Sequence, residues 1–235
     1  MEKKLIYEGK AKKIYEISTR DDVYIQEFKD DATAFNGLKK DQIKEKGEIN
    51  TEISTALFKY LGNNAIPTHF IETLSANEML VKRVKIIKVE VVCRNIAAGS
   101  IVKRYGFKEG SELNPSIIEF YLKSDELGDP LFTESHIYAL NLATESELKE
   151  IKELTFKINN LLKEYFSVRK IKLVDFKLEF GKDKNNNILL SDEISPDTCR
   201  LWDAESNKKL DKDRFRFDLG EVEESYKEIR NRIRG

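Results

Sequence analysis

The sequence predicts an α+β protein dominated by antiparallel sheet, and three observations lead to this fold class. Stretches rich in β-forming residues crowd the first third of the chain, whereas the clearest amphipathic helices come late. Strands and helices do not alternate regularly, as they would around a parallel sheet. The 235 residues, 40% of them hydrophobic, suffice for one large domain or two small domains in contact. We expect a boundary close to residues 80–85, which separates a smaller N-terminal lobe (1–83) from a larger C-terminal lobe (84–235).

Short strands are predicted to open the chain as an antiparallel meander. They correspond to Leu5–Tyr7, Lys13–Ile17 and Val23–Phe28. A helix should follow, because apolar residues recur at helical spacing between Ile53 and Leu61. Asn50 is the predicted cap of this helix and Gly62 its stop.

The middle of the chain returns to strands, at Thr68–Glu72, Met79–Val84 and Ile86–Arg94. The small residues of Asn95–Ser100 come next and allow backbone N–H groups to approach an anion closely. A helix that begins near Ser100 would strengthen such a phosphate site, although an ordinary strand-to-helix turn explains the same residues.

The last third contains the most secure helix. Thr144–Glu147 fits a capping box, and apolar residues then recur every three or four positions up to about Phe166. Two strands, Ile171–Phe180 and Ile188–Asp192, are joined by a turn-rich loop. A final amphipathic helix is predicted from Val222 to Ile233.

Composition excludes several classes of protein. The 41 Lys and Arg residues balance 42 Asp and Glu residues, so a generally basic nucleic-acid-binding surface is not expected. No stretch has the length of a membrane span, and the N-terminus lacks the apolar core of a signal peptide. Cys93 and Cys199 are expected to be reduced thiols of a soluble cytoplasmic protein, and His69 and His136 to be structural.

The segment Asp175–Glu179 is the strongest candidate for a site. Asp175, Lys177 and Glu179 alternate with apolar residues, so a strand would present acid, base and acid on one face. A solvated outer face is the ordinary interpretation of such a strand. The next strand, however, brings Asp192 back to the same neighbourhood. If Asp183 pairs with Ile188, Glu179 lies opposite Asp192, and two facing carboxylates are tolerable with Mg²⁺ between them.

Other polar segments could complete this site, although each one alone also suits an exposed loop. Lys10 and Lys12 follow Gly9 in the first turn, where they could lie over nucleotide phosphates without a standard nucleotide-binding motif. Arg94 and Ser100 supply anion donors. The irregular stretch Ser195–Asp203 carries Arg200 and the sole tryptophan.

Taken together, these segments resemble the SAICAR synthetase (phosphoribosylaminoimidazole-succinocarboxamide synthase) family. The motifs are EGKAKKIYE, VVCRNIAAGS, LVDFKLEFGKD, LSDEISPDTCRLWD and LDKDRFR, which occur in the family's order between about residues 5 and 230. The resemblance implies a two-lobed α+β fold whose nucleotide lobe is similar to that of protein kinases. It also implies a ligase of purine biosynthesis that uses ATP and Mg²⁺ to join L-aspartate to a carboxyaminoimidazole ribonucleotide through an acyl phosphate, in a homo-oligomer, with a dimer favoured.

The resemblance also implies a role for each matching residue. Lys10, Lys12, Lys82 and Lys123 match the ATP site, and Glu179 and Asp192 match the carboxylates that hold Mg²⁺ and ATP. The expected ribonucleotide ligands are Arg94, Ser100 and Arg200, with Asp175 near the ribose or a second metal and Lys177 against the transferred phosphoryl group. Asp129, Lys212 and Arg216 are further substrate-binding candidates, and Asp175, Lys177 and Arg200 are the predicted catalytic residues.

Two alternatives fit parts of the same pattern. A small-molecule kinase would share the ATP lobe but release a stable phosphorylated product. A non-catalytic nucleotide-binding regulator would bind ATP without turnover, and the acids at Glu179 and Asp192 argue against it because simple binding does not need them.

Overall fold

The structure is a computed structural model that describes residues 2–34 and 38–235. The strands are β1 (Lys3–Glu8), β2 (Lys12–Ile17), β3 (Arg20–Phe28), β4 (Asp31–Ala34), β5 (Lys39–Gln42), β6 (Phe70–Ser75), β7 (Glu78–Lys82), β8 (Lys85–Ile96), β9 (Glu112–Leu122), β10 (Leu131–Phe132), β11 (Ile171–Lys182), β12 (Ile188–Ser191) and β13 (Cys199–Asp203). The helices are α1 (Lys46–Asn63), α2 (Ser100–Tyr105), α3 (Glu134–Ala139), α4 (Glu145–Ser167), α5 (Asp213–Arg216) and α6 (Val222–Arg234). No helix in these residues is long and apolar enough to cross a membrane.

Two antiparallel sheets organise the fold, as the predicted α+β class requires. The first has the strand order β1-β2-β3-β7-β6. The second runs β10-β9-β8-β11-β12, with β13 paired to the other part of β11, and β4 and β5 form a separate hairpin. The change from the first sheet to the second falls between Lys82 and Lys85, while the division of the chain into two lobes stays a prediction.

One hydrophobic core extends through both sheets. Its members include Leu57 and Phe58 of α1, Met79 of β7, and Val91 and Phe180 of the second sheet. Helix α4 packs against β8 and β11, where buried Asn159 and Asn95 exchange side-chain hydrogen bonds of 2.8 and 3.0 Å. Helix α6 packs against α1, so the C-terminal helix lies against the N-terminal half of the chain. This core holds β11, the strand with the alternating charges, between β8 on one side and β12 and β13 on the other.

Two of the predicted helix starts are confirmed, whereas the predicted stop at Gly62 lies inside α1, which ends at Asn63. Thr144 and Glu147 form the predicted capping box of α4, and α2 begins at Ser100. The predicted start of α1 is wrong, because the helix begins at Lys46 and Asn50 is buried in its second turn. Here the cap comes from a distant residue: Oδ1 of Asp30 accepts the backbone N–H of Gly47 at 2.8 Å.

Candidate active site

A cavity of about 610 Å³ opens between the β1–β2 turn of the first sheet and strand β11 of the second. The fold brings all the predicted site residues to this cavity except Lys82, whose side chain is exposed at the end of β7. The predicted residues in its lining are Lys10, Lys12, Arg94, Ser100, Lys123, Asp129, Asp175, Lys177, Glu179, Asp192, Arg200, Lys212 and Arg216. We call this cavity the cleft.

Lysines neutralise the buried carboxylates on the face of β11 that lines the cleft. Nζ of Lys177 lies 2.7 Å from Oε1 of Glu179 and 2.8 Å from Oε1 of Glu90, and Lys123 donates to the same Glu179 oxygen at 2.8 Å. Glu90 faces Glu179 across the β8–β11 pair, so the two acids would repel without these cations. Burial opposes the charge on Lys177, but Glu179 and Glu90 outweigh it and raise the pKa of its ammonium group.

Sequence reasoning missed Glu90 because its role depends on strand pairing. Glu90 lies in an apolar-rich strand and belongs to none of the quoted polar motifs. Only its register opposite Glu179 places it in the cleft. Burial, the largest influence, raises the pKa of the Glu90 carboxyl, and Lys177 counteracts this shift.

Asp192 reaches the cleft by a different geometry from the one predicted. The expected pairing of Asp183 with Ile188 is wrong, since Lys182 pairs with Ile188 and Ser191 lies opposite Glu179. Asp183 instead caps the loop, where Oδ1 accepts the N–H groups of Asn185 and Asn187 at 2.8 and 2.9 Å.

Asp192 follows the end of β12 with a left-handed backbone (φ 63°), which breaks the alternation of the strand. Its Oδ1 accepts a hydrogen bond from Lys12, whose Nζ also lies 2.9 Å from Oε1 of Glu193. Although burial disfavours the charged carboxylate, Lys12, Lys177 and Lys123 together lower the pKa of Asp192 well below its usual range. Asp192 and Glu179 therefore share the field of the same lysines.

Two arginines converge on Asp175 further along the same face. Oδ2 of Asp175 accepts from Nη1 of Arg94 at 2.7 Å and from Nη1 of Arg200 at 2.8 Å. Arg94 also donates to Oγ of Ser100 at 3.0 Å, and Nε of Arg200 donates to Asp213 at 2.8 Å. The side chains of Arg94 and Asp175 are only 3% and 5% exposed, so these charges are fixed before any ligand arrives.

The remaining predicted residues lie on loops and on helix α5 at the rim of the cleft. Nζ of Lys10 lies 2.5 Å from Oδ1 of Asp125. Oδ1 of Asp129 accepts the backbone N–H of Ser124 at 2.9 Å and thereby closes the loop that contains Asp125. Arg216 donates to Oδ1 of Asp213 at 2.6 Å.

The chain is similar to known proteins along nearly all of its length. The SAICAR synthetase family model matches residues 5–233. The chain belongs to the SAICAR synthetase family. It is 59% identical over 229 residues to a phosphoribosylaminoimidazole-succinocarboxamide synthase of Prosthecochloris aestuarii, with 97% of each chain covered. Membership of this family makes the protein an enzyme, an ATP-dependent ligase of purine biosynthesis.

Solved structures of SAICAR synthetases have the same fold. The Ehrlichia chaffeensis phosphoribosylaminoimidazole-succinocarboxamide synthase superposes with a TM-score of 0.96 at 50% identity, with 98% of each chain covered. A SAICAR synthetase in complex with ADP superposes with a TM-score of 0.94 at 51% identity, covering 97% of this chain and 96% of that one. The predicted family and fold class are therefore confirmed.

Proposed function

We propose that the protein uses ATP to join L-aspartate to the carboxylate of 5-amino-1-(5-phosphoribosyl)imidazole-4-carboxylate, which releases ADP and phosphate. Family membership supports this reaction, and one observation carries its assignment to the cleft. Glu179, with its lysines, and Asp175, with its arginines, lie four residues apart on one strand face, or about 13 Å at the usual rise of a strand. The cleft thus offers two separate sites for phosphorylated ligands.

The lysine-rich part of the cleft suits ATP. Lys10 and Lys12 come from the β1–β2 turn, and Lys123 approaches from the end of β9. Their ammonium groups are point charges that can exchange a carboxylate for a phosphate. The ADP complex of a relative with 51% identity is consistent with nucleotide binding here. Lys82 lies outside the cleft lining, so its proposed place near the adenine rests on the family resemblance alone.

Glu179 and Asp192 have the chemistry of a Mg²⁺ site. Mg²⁺ in nucleotide enzymes is usually held by one or two carboxylates, with water and phosphate oxygens as its other ligands. Both side chains line the cleft and interact with the same lysines. When bound, Mg²⁺ would neutralise charge on the ATP phosphates.

The arginine cluster suits the phosphate of the ribonucleotide. Arginine forms paired hydrogen bonds with phosphate oxygens, and Arg94 and Arg200 are held in place by Asp175. Ser100 adds a hydroxyl beside Arg94, and Asp175 could also meet the ribose. We place Asp129, Lys212 and Arg216 around the substrates, aspartate included, because they line the cleft.

Gly99 should be essential to this cluster. Its backbone has φ 64°, and a Cβ at this position would lie 2.6 Å from Nη2 of Arg200. Because small displacements of positioning groups are costly, Gly99→Ala should lower kcat/KM for the ribonucleotide by about 100-fold. Steady-state kinetics at saturating ATP and aspartate measure this effect.

Gly106→Ala is the matched control for this change. Gly106 also has a left-handed backbone (φ 72°), but nothing lies within 4 Å of its added Cβ. Gly99 combines its positive φ with ψ −126°, which favours glycine more strongly than the αL conformation of Gly106 (ψ 18°). A thermal melt of each variant therefore accompanies the kinetics and separates a loss of folding from displacement of Arg200. Equal kinetics in the two variants would contradict the proposed role of Arg200.

The proposed chemistry proceeds without a covalent enzyme intermediate. The imidazole carboxylate attacks the γ-phosphorus of ATP to form an acyl phosphate, and Lys177, held as an ammonium ion, offsets the charge on the transferred group. The aspartate amine then displaces phosphate to form the amide. Cys199 lines the cleft, but burial raises the pKa of its thiol well above the usual value, so it is a poor nucleophile.

The proposal also covers the division into lobes, the oligomeric state and the location of the protein in the cell. We propose lobes 1–83 and 84–235, because the two sheets change over between Lys82 and Lys85 and the cleft lies where they meet. We also propose a homo-oligomer, with a dimer favoured, in the cytoplasm, where these small substrates are made and consumed. Size-exclusion chromatography with light scattering tests the oligomeric state, and cell fractionation tests the cytoplasmic location.

The reaction itself is tested by product mass. Purified protein with ATP, Mg²⁺, L-aspartate and the ribonucleotide should produce the aspartyl amide with one ADP per amide. Omission of any one component should abolish the product. A stable phosphorylated ribonucleotide would indicate a kinase instead, and ATP binding without any product would indicate a regulator.

A further inference from the structure

The proposed reaction needs a base that no residue yet supplies. The α-amino group of aspartate is an ammonium ion at neutral pH and has no lone pair with which to attack. A cleft residue must therefore take a proton from it at the start of the second step. This requirement rests on the proposed function, because only the ligase reaction uses the amine as a nucleophile.

The carboxylates of the cleft are poorly placed for this task because each already accepts strong hydrogen bonds. Asp175 accepts from two arginines, Glu90 and Glu179 from Lys177, and Asp192 from Lys12. Oε2 of Glu193 accepts from Ser195 at 2.6 Å. The oxygens of these carboxylates are therefore already engaged with donors, which hinders the approach of a substrate ammonium group.

Lys212 differs from the other lysines of the cleft. Lys10, Lys12, Lys123 and Lys177 each have a carboxylate oxygen within 2.8 Å. Within the described ranges, Nζ of Lys212 makes no hydrogen bond, and its nearest carboxylate oxygen is Oδ2 of Asp197 at 3.7 Å. Its side chain is only 13% exposed and lines the cleft just before α5.

Both carboxylate oxygens of Asp197 accept hydrogen bonds from groups other than Lys212. Oδ2 accepts from the fully buried Nζ of Lys46 at the start of α1, at 2.8 Å. Oδ1 accepts from the buried hydroxyl of Tyr226 on α6, at 2.6 Å. Two buried lysines thus share one carboxylate, and Lys46 makes the closer contact.

Burial and two nearby cations oppose the charge on Lys212. From α1 it faces Lys46, from α5 Arg216, and from the loop after β12 Glu193 and Asp197. Glu193 is itself paired with Lys12 at 2.9 Å, and Asp213 binds Arg216 and Arg200. Burial, followed by Arg216 and Lys46, lowers the pKa of Lys212 despite the opposing effect of Asp197.

We propose that the neutral amine of Lys212 is the general base that deprotonates the α-ammonium group of aspartate. The proton passes to Nζ, which becomes an ammonium ion, and leaves a lone pair on the substrate nitrogen. That pair forms the C–N bond at the acyl carbon, and the C–O bond to phosphate breaks with its electrons on the leaving oxygen. The remaining excess proton on nitrogen passes to the departing phosphate. Lys46 and Tyr226 are positioning residues that hold Asp197 beside Lys212.

Lys212→Arg tests this role, because arginine has a side chain of similar length but stays protonated and cannot act as a base. With aspartate, kcat should fall by about 10²- to 10⁴-fold, while KM for aspartate changes by less than about threefold. Hydroxylamine provides the second assay, since it is uncharged at neutral pH and traps an acyl phosphate as a hydroxamate. In the presence of ATP, Mg²⁺, the ribonucleotide and hydroxylamine, the variant should form hydroxamate within about threefold of the unaltered enzyme. Retained hydroxamate formation also demonstrates that the variant is folded.

The unaltered enzyme provides a measurement that needs no variant. Its kcat with aspartate should rise with pH as Lys212 loses its proton, whereas hydroxamate formation should not follow that rise. Lys208→Arg is the control, because Lys208 pairs with exposed Glu221 outside the cleft and should retain full turnover with both nucleophiles.

Three results would overturn the proposal. Full turnover of Lys212→Arg with aspartate would exclude a base at this position. Equal loss of amide and hydroxamate would assign Lys212 to phosphoryl transfer or to anion binding. Absence of hydroxamate from the unaltered enzyme, despite normal amide formation, would reject the acyl phosphate and the base proposal with it, and would thereby locate the failure in the proposed function.

Discussion

Replacement of Glu179 by Gln, or of Asp192 by Asn, should lower kcat by more than about 100-fold. Loss of a group that merely supports a metal ligand already costs about 10- to 100-fold, and these side chains are proposed as the ligands themselves. Each replacement keeps the size of the side chain and removes its charge. The Mg²⁺ concentration for half-maximal activity should rise in both variants, which a titration at fixed ATP measures.

Glu205→Gln makes the same chemical change outside the cleft. Glu205 pairs with Lys170, and both side chains are about three-quarters exposed, so little effect on stability or turnover is expected. If Glu179→Gln and Asp192→Asn retain full activity with an unchanged Mg²⁺ requirement, neither residue binds the metal.

Asp175→Asn should have the second large effect, on both stability and binding. The exchange leaves Arg94 and Arg200 without the carboxylate that joins them, and an amide N–H₂ group faces their donors. Breaking a buried ion pair in this way costs about 3–5 kcal/mol. Chemical denaturation should show this loss, and calorimetric titration with the ribonucleotide should show weakened binding.

Asp22→Asn is the matched control, since Asp22 pairs with Arg20 on the surface, where both side chains are nearly half exposed. Exposed pairs of this kind contribute about 0–1 kcal/mol. If both variants lost the same small amount of stability, the arginine cluster would not depend on Asp175.

Local sequence patterns predicted much of the fold and of the site. The capping box of α4 and the alternation in β11 are short-range signals, and both correspond to what the structure contains. The cap of α1 is Asp30, which lies seventeen positions before Gly47 in the sequence. A local pattern does not detect so distant a cap, and the prediction therefore chose Asn50. The importance of Glu90 depends on strand pairing and that of Lys46 on packing between distant segments.

Asp192 lies in the cleft although the expected register of β12 is wrong. Asp183 was expected to pair across the hairpin, but its side chain binds the loop backbone, which moves the pairing by one residue. Strict alternation would then point Asp192 away from Glu179. The left-handed backbone at Asp192 keeps its carboxylate among the cleft lysines. No pattern in the sequence predicts this conformation.

The lysines of the cleft are paired with its carboxylates, so a bound phosphate would replace a carboxylate as the partner of a lysine. Without ligands, Lys123 and Lys177 neutralise Glu179, and Lys12 neutralises Asp192. At the proposed metal site, a lone Mg²⁺ ion must compete with these ammonium groups for oxygens that already accept hydrogen bonds. A nucleotide phosphate removes that competition, since it offers the lysines another anion as it brings the metal. Metal and nucleotide should therefore bind with positive cooperativity, each tighter in the presence of the other.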